Sequence, residues 1–303
     1  MNQTYLNIAR QGKNNWWRYL LGTIIILSLG LIVGTISAYI AFYFFSYYII
    51  ASNFLKEFQS IQDLLASPYF LNYIFAHFPY IFYLLGIFIA LRWLHQREFM
   101  SLFGADKNIR WLRCLQGFAI WLAMQSTLIF IGYLIEPESF EFAFKPTEWF
   151  LLLSFVLIMT PLQTSTEELF FRGYILQGLG LITKHPLILM IINGVLFMLP
   201  HLGNPEIQRG FFWMALYYFS FGVFCCLLTL KDNRLELALG VHAAINLSHI
   251  IVTTKDSALQ LPAIWILKEV GEPQWLLLWF LIECGLFYFV VFGLRRQGLG
   301  IRE

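Results

Sequence analysis

The sequence predicts an all-α bundle of transmembrane helices with about eight spans. Of the 303 residues, 59% are hydrophobic and 13% are charged, whereas soluble domains carry about 25% charged residues. A helix needs about 20 apolar residues to cross a bilayer, and stretches such as 19–50 contain no charge at all. The net charge of +2 is too small to indicate a nucleic-acid partner. The expected partners are therefore membrane lipids.

Eight apolar segments satisfy this length. They cover residues 19–45, 69–91, 114–135, 149–183, 186–202, 211–230, 235–253 and 274–294. The first segment lacks a small-residue cleavage pattern, so we interpret it as a retained span rather than a signal peptide. The fourth segment is long for one helix, and Pro161 predicts a kink or a break in it. We expect one long, bent element, because two spans there would place the C-terminal basic residues on the outer side.

The basic residues predict the orientation of the chain. Fourteen Lys and Arg residues fall in the connections on the side of the termini. Five fall on the other side, namely Lys56, Lys145, Arg209, Lys255 and Lys268. Basic loops are retained in the cytoplasm, so both termini are expected there, in a multi-pass protein of a prokaryotic cytoplasmic membrane. We divide the chain into N-terminal helices (1–144, three spans), a core (145–255), and a last span with a basic tail (256–303).

Few polar groups interrupt the apolar segments, and ionisable groups inside a membrane are functional candidates by default. They form two clusters and three single residues. The clusters are Glu167, Glu168 and Arg172 in the fourth segment and His242, Asn246 and His249 in the seventh; the single residues are His201, which closes the fifth segment, His77 and Glu283.

The spacing of these groups indicates a single site. A hairpin turning at residues 184–186 would place Glu167 and His201 at the same height, because each lies about 24–26 Å from the turn at about 1.5 Å per residue. His242 and Asn246 share a helix face at i and i+4. Glu168 and Arg172 have the same spacing, in the acid-first order that favours an ion pair. This leaves Glu167 as the reactive carboxylate.

These motifs resemble the CAAX-protease and bacteriocin-processing family of intramembrane proteases, also called the abortive-infection family. The resemblance covers about residues 145–255 and rests on Glu167-Glu168-x-x-x-Arg172-Gly173, Phe197-x-x-x-His201 and His242-x-x-x-Asn246. It implies an intramembrane endopeptidase in which the first glutamate activates water. The remaining catalytic residues would then be His201, His242 and Asn246, with Glu168 and Arg172 in support.

Several alternatives remain open at this stage. The resemblance does not decide whether His201 and His242 hold a divalent metal such as Zn²⁺, or whether the substrate is prenylated. Each motif also has a structural explanation, as an ion pair that packs helices, a helix-end histidine, or an asparagine bonding between helices. A non-proteolytic adaptor or immunity protein on the same scaffold is the main rival function, and a proton-coupled transporter is the third. For an endopeptidase, we expect a cavity that opens toward the cytoplasm.

Overall fold

A computed structural model describes residues 4–51, 68–258 and 262–293, and these residues are predominantly helical. The α-helices are α1 (Thr4–Asn7), α2 (Trp16–Ser28), α3 (Thr35–Ala51), α4 (Pro68–His77), α5 (Pro79–Ile89), α6 (Trp111–Ile135), α7 (Pro146–Glu168), α8 (Leu176–Ile182), α9 (Pro186–His201), α10 (Phe211–Asp232), α11 (Glu236–Ser248) and α12 (Pro273–Tyr288). π-helical turns extend four of them, at Leu29–Gly34, Ala90–His95, Leu169–Ile175 and Phe289–Gly293. The basic tail beyond residue 293 lies outside the described residues.

The predicted fold class is confirmed. Six helical stretches in the described chain are long and apolar enough to span a bilayer: Trp16–Phe45, Tyr73–His95, Trp111–Ile135, Pro146–Ile182, Phe211–Asp232 and Pro273–Gly293. The other two predicted segments are also helical but shorter, because α9 has 16 residues and α11 has 13. Most of α11 is buried inside the bundle, so its apolar character reflects contact with protein as well as with lipid.

The fourth predicted segment is one continuous helical stretch of 37 residues. Pro161 lies inside α7 and does not end it. The α-helical hydrogen bonding changes instead at the π-helical turn Leu169–Ile175, directly after the Glu167-Glu168 pair. Such π turns are frequent at functional sites, and this one connects α7 to α8.

A small sheet closes one end of the bundle. β1 (Phe140–Phe142) pairs antiparallel with β3 (Trp265–Leu267), which pairs parallel with β2 (Val252–Thr254). Nearby, Arg209 forms an ion pair with Asp256 at 2.5 Å and donates a hydrogen bond to Thr254. We call this end, with the sheet and segments 202–210 and 249–258, the sheet face.

The opposite end, which we call the terminal face, comprises residues 4–11, the loop 96–110 and the turns 183–185 and 233–235. Tyr5 is fully buried there, and its hydroxyl donates to the backbone carbonyls of Leu102 and Arg172 at 2.6 and 3.1 Å. Arg234 pairs with Asp106 at 2.6 Å, and this hydrogen bond lowers the pKa of the Asp106 carboxyl. The N-terminal residues are thus part of the folded bundle.

Glycines bring α11 into direct contact with α6. A Cβ atom on Gly240 would lie 2.1 Å from the carbonyl oxygen of Cys114, and one on Gly117 would lie 2.7 Å from that of Leu237. Small residues at such positions let two helix backbones approach closely within a membrane. This contact fixes the helix that carries His242 and Asn246.

Candidate active site

The core of the site is a buried ion pair between Glu168 and Arg172. Nη1 of Arg172 donates to Oε1 of Glu168 at 2.8 Å, and both side chains are inaccessible to solvent. The guanidinium group also donates to the carbonyl of Gly222 at 3.3 Å and lies 4.5 Å from the ring centre of Phe197. Because an unpaired charge is costly in this environment, each member of the pair stabilises the other.

His242 connects the two adjacent glutamates. Its Nδ1 lies 2.7 Å from Oε1 of Glu168, and its Nε2 lies 3.8 Å from Oε2 of Glu167. The ion pair that the spacing of Glu168 and Arg172 predicts is present. Glu168 has a second contact that the spacing does not predict, because the imidazole lies between the two carboxylates and each of them approaches a different ring nitrogen.

Glu167 is held by two side chains that the sequence analysis missed. Its Oε1 accepts hydrogen bonds from the hydroxyl of Tyr80 at 2.8 Å and from the amide of Gln163 at 3.2 Å. Its Oε2 is buried and has no hydrogen-bond partner among the described residues. A buried polar atom without a partner calls for an explanation, and a reactive carboxylate oxygen facing an imidazole provides one.

His201 lies at the end of α9, with its ring fixed on three sides. Its Nδ1 lies 2.7 Å from the carbonyl of Phe197, one helical turn earlier. A carbonyl can only accept, so Nδ1 carries the proton and Nε2 presents a lone pair in the neutral imidazole. The ring stacks between Phe197 and Tyr218, with centroid distances of 4.4 and 4.6 Å. Phe197 also contacts His242 edge to face at 5.9 Å, and so lies between the two histidines.

Asn246 reaches the site through Gln163. Its Nδ2 lies 3.4 Å from Oε1 of Gln163, a long contact that leaves the amide free to bond elsewhere. The same oxygen lies 3.0 Å from Nε2 of His77, so this histidine, which is single in its own segment, contacts the site through Gln163. The i−4 spacing from Glu167 could have indicated Gln163, whereas nothing in the sequence indicated Tyr80, which belongs to another helix.

Two further polar residues lie outside this group. His249, which follows α11, has its Nδ1 3.4 Å from the hydroxyl of Ser257 and contacts the sheet-face loop. Glu283 lies in α12 at 8% exposure, and within the described chain no hydrogen bond or ion pair of its side chain is found. Neither residue contacts the catalytic candidates.

The residues present provide a poor metal site. In the described ranges, no three His, Cys, Asp or Glu side chains converge as ligands. Nδ1 of His242 bonds to Glu168 and Nδ1 of His201 bonds to a carbonyl, so the available donors are the two Nε2 atoms and Oε2 of Glu167. Protein zinc sites use three or four ligands at about 2.0–2.3 Å, and these donors are not gathered in that way.

The chemistry that remains is that of a general base. An unpartnered carboxylate oxygen, two imidazoles with fixed tautomers and a carboxamide can together bind and deprotonate water and donate to an oxyanion. The Arg172–Glu168–His242 chain fixes one imidazole, and the stack of Phe197 and Tyr218 fixes the other. This arrangement is typical of a hydrolytic site.

Comparison with known proteins agrees with this assignment. Residues 146–248 match a family model described as type II CAAX prenyl endopeptidase, Rce1-like. The chain is 31% identical over 268 residues to YyaK, an uncharacterized protein of Bacillus subtilis (strain 168), and the match covers 88% of this chain and 87% of YyaK. No solved structure matches the chain. The chain therefore belongs to the Rce1-like family of type II CAAX prenyl endopeptidases.

Proposed function

We propose that the protein is an intramembrane endopeptidase that uses Glu167 as its general base. The observation that carries the proposal is the position of Oε2 of Glu167. This buried atom has no hydrogen-bond partner among the described residues and lies 3.8 Å from Nε2 of His242. That separation is too long for a direct hydrogen bond and is suited to a bridging water.

In this mechanism, Oε2 of Glu167 takes a proton from water, whose oxygen attacks the carbonyl carbon of the scissile peptide bond. The other hydrogen of this water molecule forms a hydrogen bond to Nε2 of His242 or of His201. Both Nε2 atoms can accept it, since both Nδ1 atoms already donate to acceptors. Asn246 donates its amide hydrogen to the tetrahedral oxyanion. Glu167 then passes its proton to the leaving nitrogen as the C–N bond breaks, which frees the amine and a new carboxylic acid that loses its proton to solvent.

The supporting residues keep this site in place. Arg172 neutralises Glu168, which in turn keeps the proton of His242 on Nδ1, as the carboxylate of a catalytic triad does for its histidine. Tyr80 and Gln163 occupy Oε1 of Glu167 and so leave Oε2 as the reactive oxygen. The substrate would be a membrane-associated protein or peptide, prenylated or not.

The test compares membranes from cells that produce the parental protein, Glu167→Gln or Glu283→Gln. Glu283 is a matched control, since it is a second buried carboxylate within a helix. We expect quantitative proteomics to find cleavage products that depend on Glu167 and persist in Glu283→Gln. If no product is lost in Glu167→Gln while the variant remains folded, the protein is not a glutamate-dependent protease, and the adaptor function is favoured.

A further inference from the structure

Several of the catalytic groups are partly exposed, and one of them, His201, directly precedes segment 202–210 of the sheet face. Gln163, Glu167, His201 and Asn246 all retain some accessible surface. Gly203, two residues after His201, is exposed, and a Cβ atom there would meet nothing within 4 Å. The open side of the site therefore adjoins segment 202–210 of the sheet face.

Toward the terminal face, the bundle is closed. Every residue of α11 from Glu236 to His242 is buried, and so are residues 171–174 of the π-helical turn. On α10, Cys225, Cys226, Leu228 and Thr229 are inaccessible. This packing fills the interior between the catalytic groups and the loops at the terminal face.

The N-terminal residues complete this closure. Tyr5, Leu6, Ile8 and Ala9 are all at most 2% exposed, and the Tyr5 hydroxyl reaches the carbonyl of Arg172. Beside them, Arg97 donates to Gln177 at 2.5 Å, and Gln177 donates to the carbonyl of Ser101 at 3.1 Å. A polypeptide approaching from the terminal face would have to displace this buried hydrogen-bonded layer.

The positions of two tyrosines along their helices agree with a site that lies nearer the sheet face than the terminal face. His201 stacks on Tyr218, which lies about 10 Å from the sheet-face end of α10 and about 21 Å from its other end at about 1.5 Å per residue. Tyr80, which contacts Glu167, lies about 22 Å from the terminal-face end of its helix at His95. On these two helices the groups that contact the site lie nearer the sheet, and His201 ends α9 directly before segment 202–210 of the sheet face. Glu167 lies about 32 Å from the start of the longer stretch Pro146–Ile182 and about 22 Å from its end, at about 1.5 Å per residue.

The charge distribution assigns a compartment to each face. Among the described residues, the terminal face and its connections carry eleven Lys and Arg residues against four on the other side, which predicts that the terminal face is cytoplasmic. Resting on the proposed function, we infer that the site is reached from the extracytoplasmic side and cleaves polypeptide segments exposed there, such as exported peptides or the outer parts of membrane proteins. This inference differs from the expectation of a cavity that opens toward the cytoplasm.

Cysteine labelling in intact cells tests the orientation without requiring catalysis. Lys268 and Lys13 are exposed lysines on the sheet and terminal faces, so Lys268→Cys and Lys13→Cys form a matched pair. We expect a membrane-impermeant maleimide to label Lys268→Cys in intact cells and Lys13→Cys only after permeabilisation. The opposite pattern would overturn the orientation. The unsubstituted protein controls for its four native cysteines.

Access to the site is tested with Gly203→Cys and Asn246→Cys, with the buried Ala238→Cys as control. We expect both to react from outside, with labelling of Asn246→Cys slower by about tenfold or more, and no labelling of Ala238→Cys. Labelling of Asn246→Cys only after permeabilisation would refute outside access.

If Asn246→Cys does not fold, a bulky reagent attached to Gly203→Cys in intact cells provides the second readout, because it should block cleavage. Unimpaired cleavage would then refute the proposed route.

The substrate class is tested on culture medium and on peptides shaved from intact cells. Peptides that depend on Glu167 should appear in these fractions. If they appear only in the cytoplasmic fraction, the inference fails while the proposed protease function stands. If labelling matches expectation but no such peptide appears in any fraction, the protease function fails and the orientation stands.

Discussion

Nδ1 of His242 lies 2.7 Å from the carboxylate of Glu168, which also binds Arg172 at 2.8 Å. The second glutamate of the motif therefore has two roles, since it compensates a buried guanidinium and selects the tautomer of a candidate catalytic histidine. These two roles can be separated by experiment.

Glu168→Gln leaves Arg172 buried without its counter-charge, which should lower the free energy of unfolding by roughly 3–5 kcal/mol. The double variant Glu168→Gln/Arg172→Met should recover much of this stability, because it also removes the unpaired charge. Cleavage should fall by roughly 100-fold or more in both variants, because an amide can favour the wrong histidine tautomer. Thermal unfolding in detergent and a cleavage assay measure the two effects. Equal unfolding temperatures for the single and double variants would contradict the first role.

Tyr80→Phe removes a hydrogen bond to the carboxylate of Glu167 and nothing else of comparable size. A hydrogen bond to a charged group contributes about 1.5–3 kcal/mol, so we expect kcat to fall by roughly 10- to 100-fold with little change in KM. Tyr83→Phe is the matched control, because its ring packs 5.7 Å from that of Tyr80. Steady-state kinetics of both variants decide the point, and an equal loss in the control would assign the effect to packing.

Chelation tests whether His201 and His242 hold a metal. Because the described donors do not form a three-ligand site, we expect a strong chelator to leave the cleavage rate of purified protein unchanged. Inactivation that added Zn²⁺ reverses would instead show that the protein requires a metal, with the two histidines as its candidate ligands. The chelator-treated protein is compared with two controls. One control is protein with added Zn²⁺, and the other is protein treated with the calcium form of the chelator.

The Arg209–Asp256 pair should make sheet-face stability depend on pH. The hydrogen bond from Arg209 lowers the pKa of Asp256 to about 2, below its value of about 4 in an unfolded chain. The stabilisation is therefore fully present above about pH 4 and is lost as the pH falls toward 2. Since Asp256 is 41% exposed, we expect Asp256→Asn to cost at most about 1 kcal/mol. Unfolding of both proteins across this range should show the difference disappear at low pH, and a difference that persisted would contradict the assignment.

Gly240→Ala should disrupt the contact between α11 and α6, because the new Cβ would lie 2.1 Å from a backbone carbonyl. We expect clear destabilisation and loss of cleavage as His242 shifts. Gly285→Ala is the control, because it lies in α12 with no atom within 4 Å of the added Cβ. Unfolding temperatures compare the two, and tolerance of Gly240→Ala would show that the helices can move apart at little cost.

The sequence by itself determined the membrane bundle, its helices and most of the candidate site. Apolar length and scarce charge are local properties, and the polar residues that remain are few enough to mark Glu167, Glu168, Arg172, His201 and His242 directly. Helical spacing was also sufficient to pair Glu168 with Arg172, because residues at i and i+4 are neighbours in any helix.

Only the tertiary structure decided how these groups share their contacts. Tyr80 and His77 reach Glu167 and Gln163 from another helix, and His242 bridges the two glutamates from a third. Such contacts depend on helix rotation and depth, which are set by close approaches such as that of Gly240 and by buried side chains such as Tyr5. The open side of the site has the same origin, because access depends on which end of the bundle is filled, and no residue's local sequence records that.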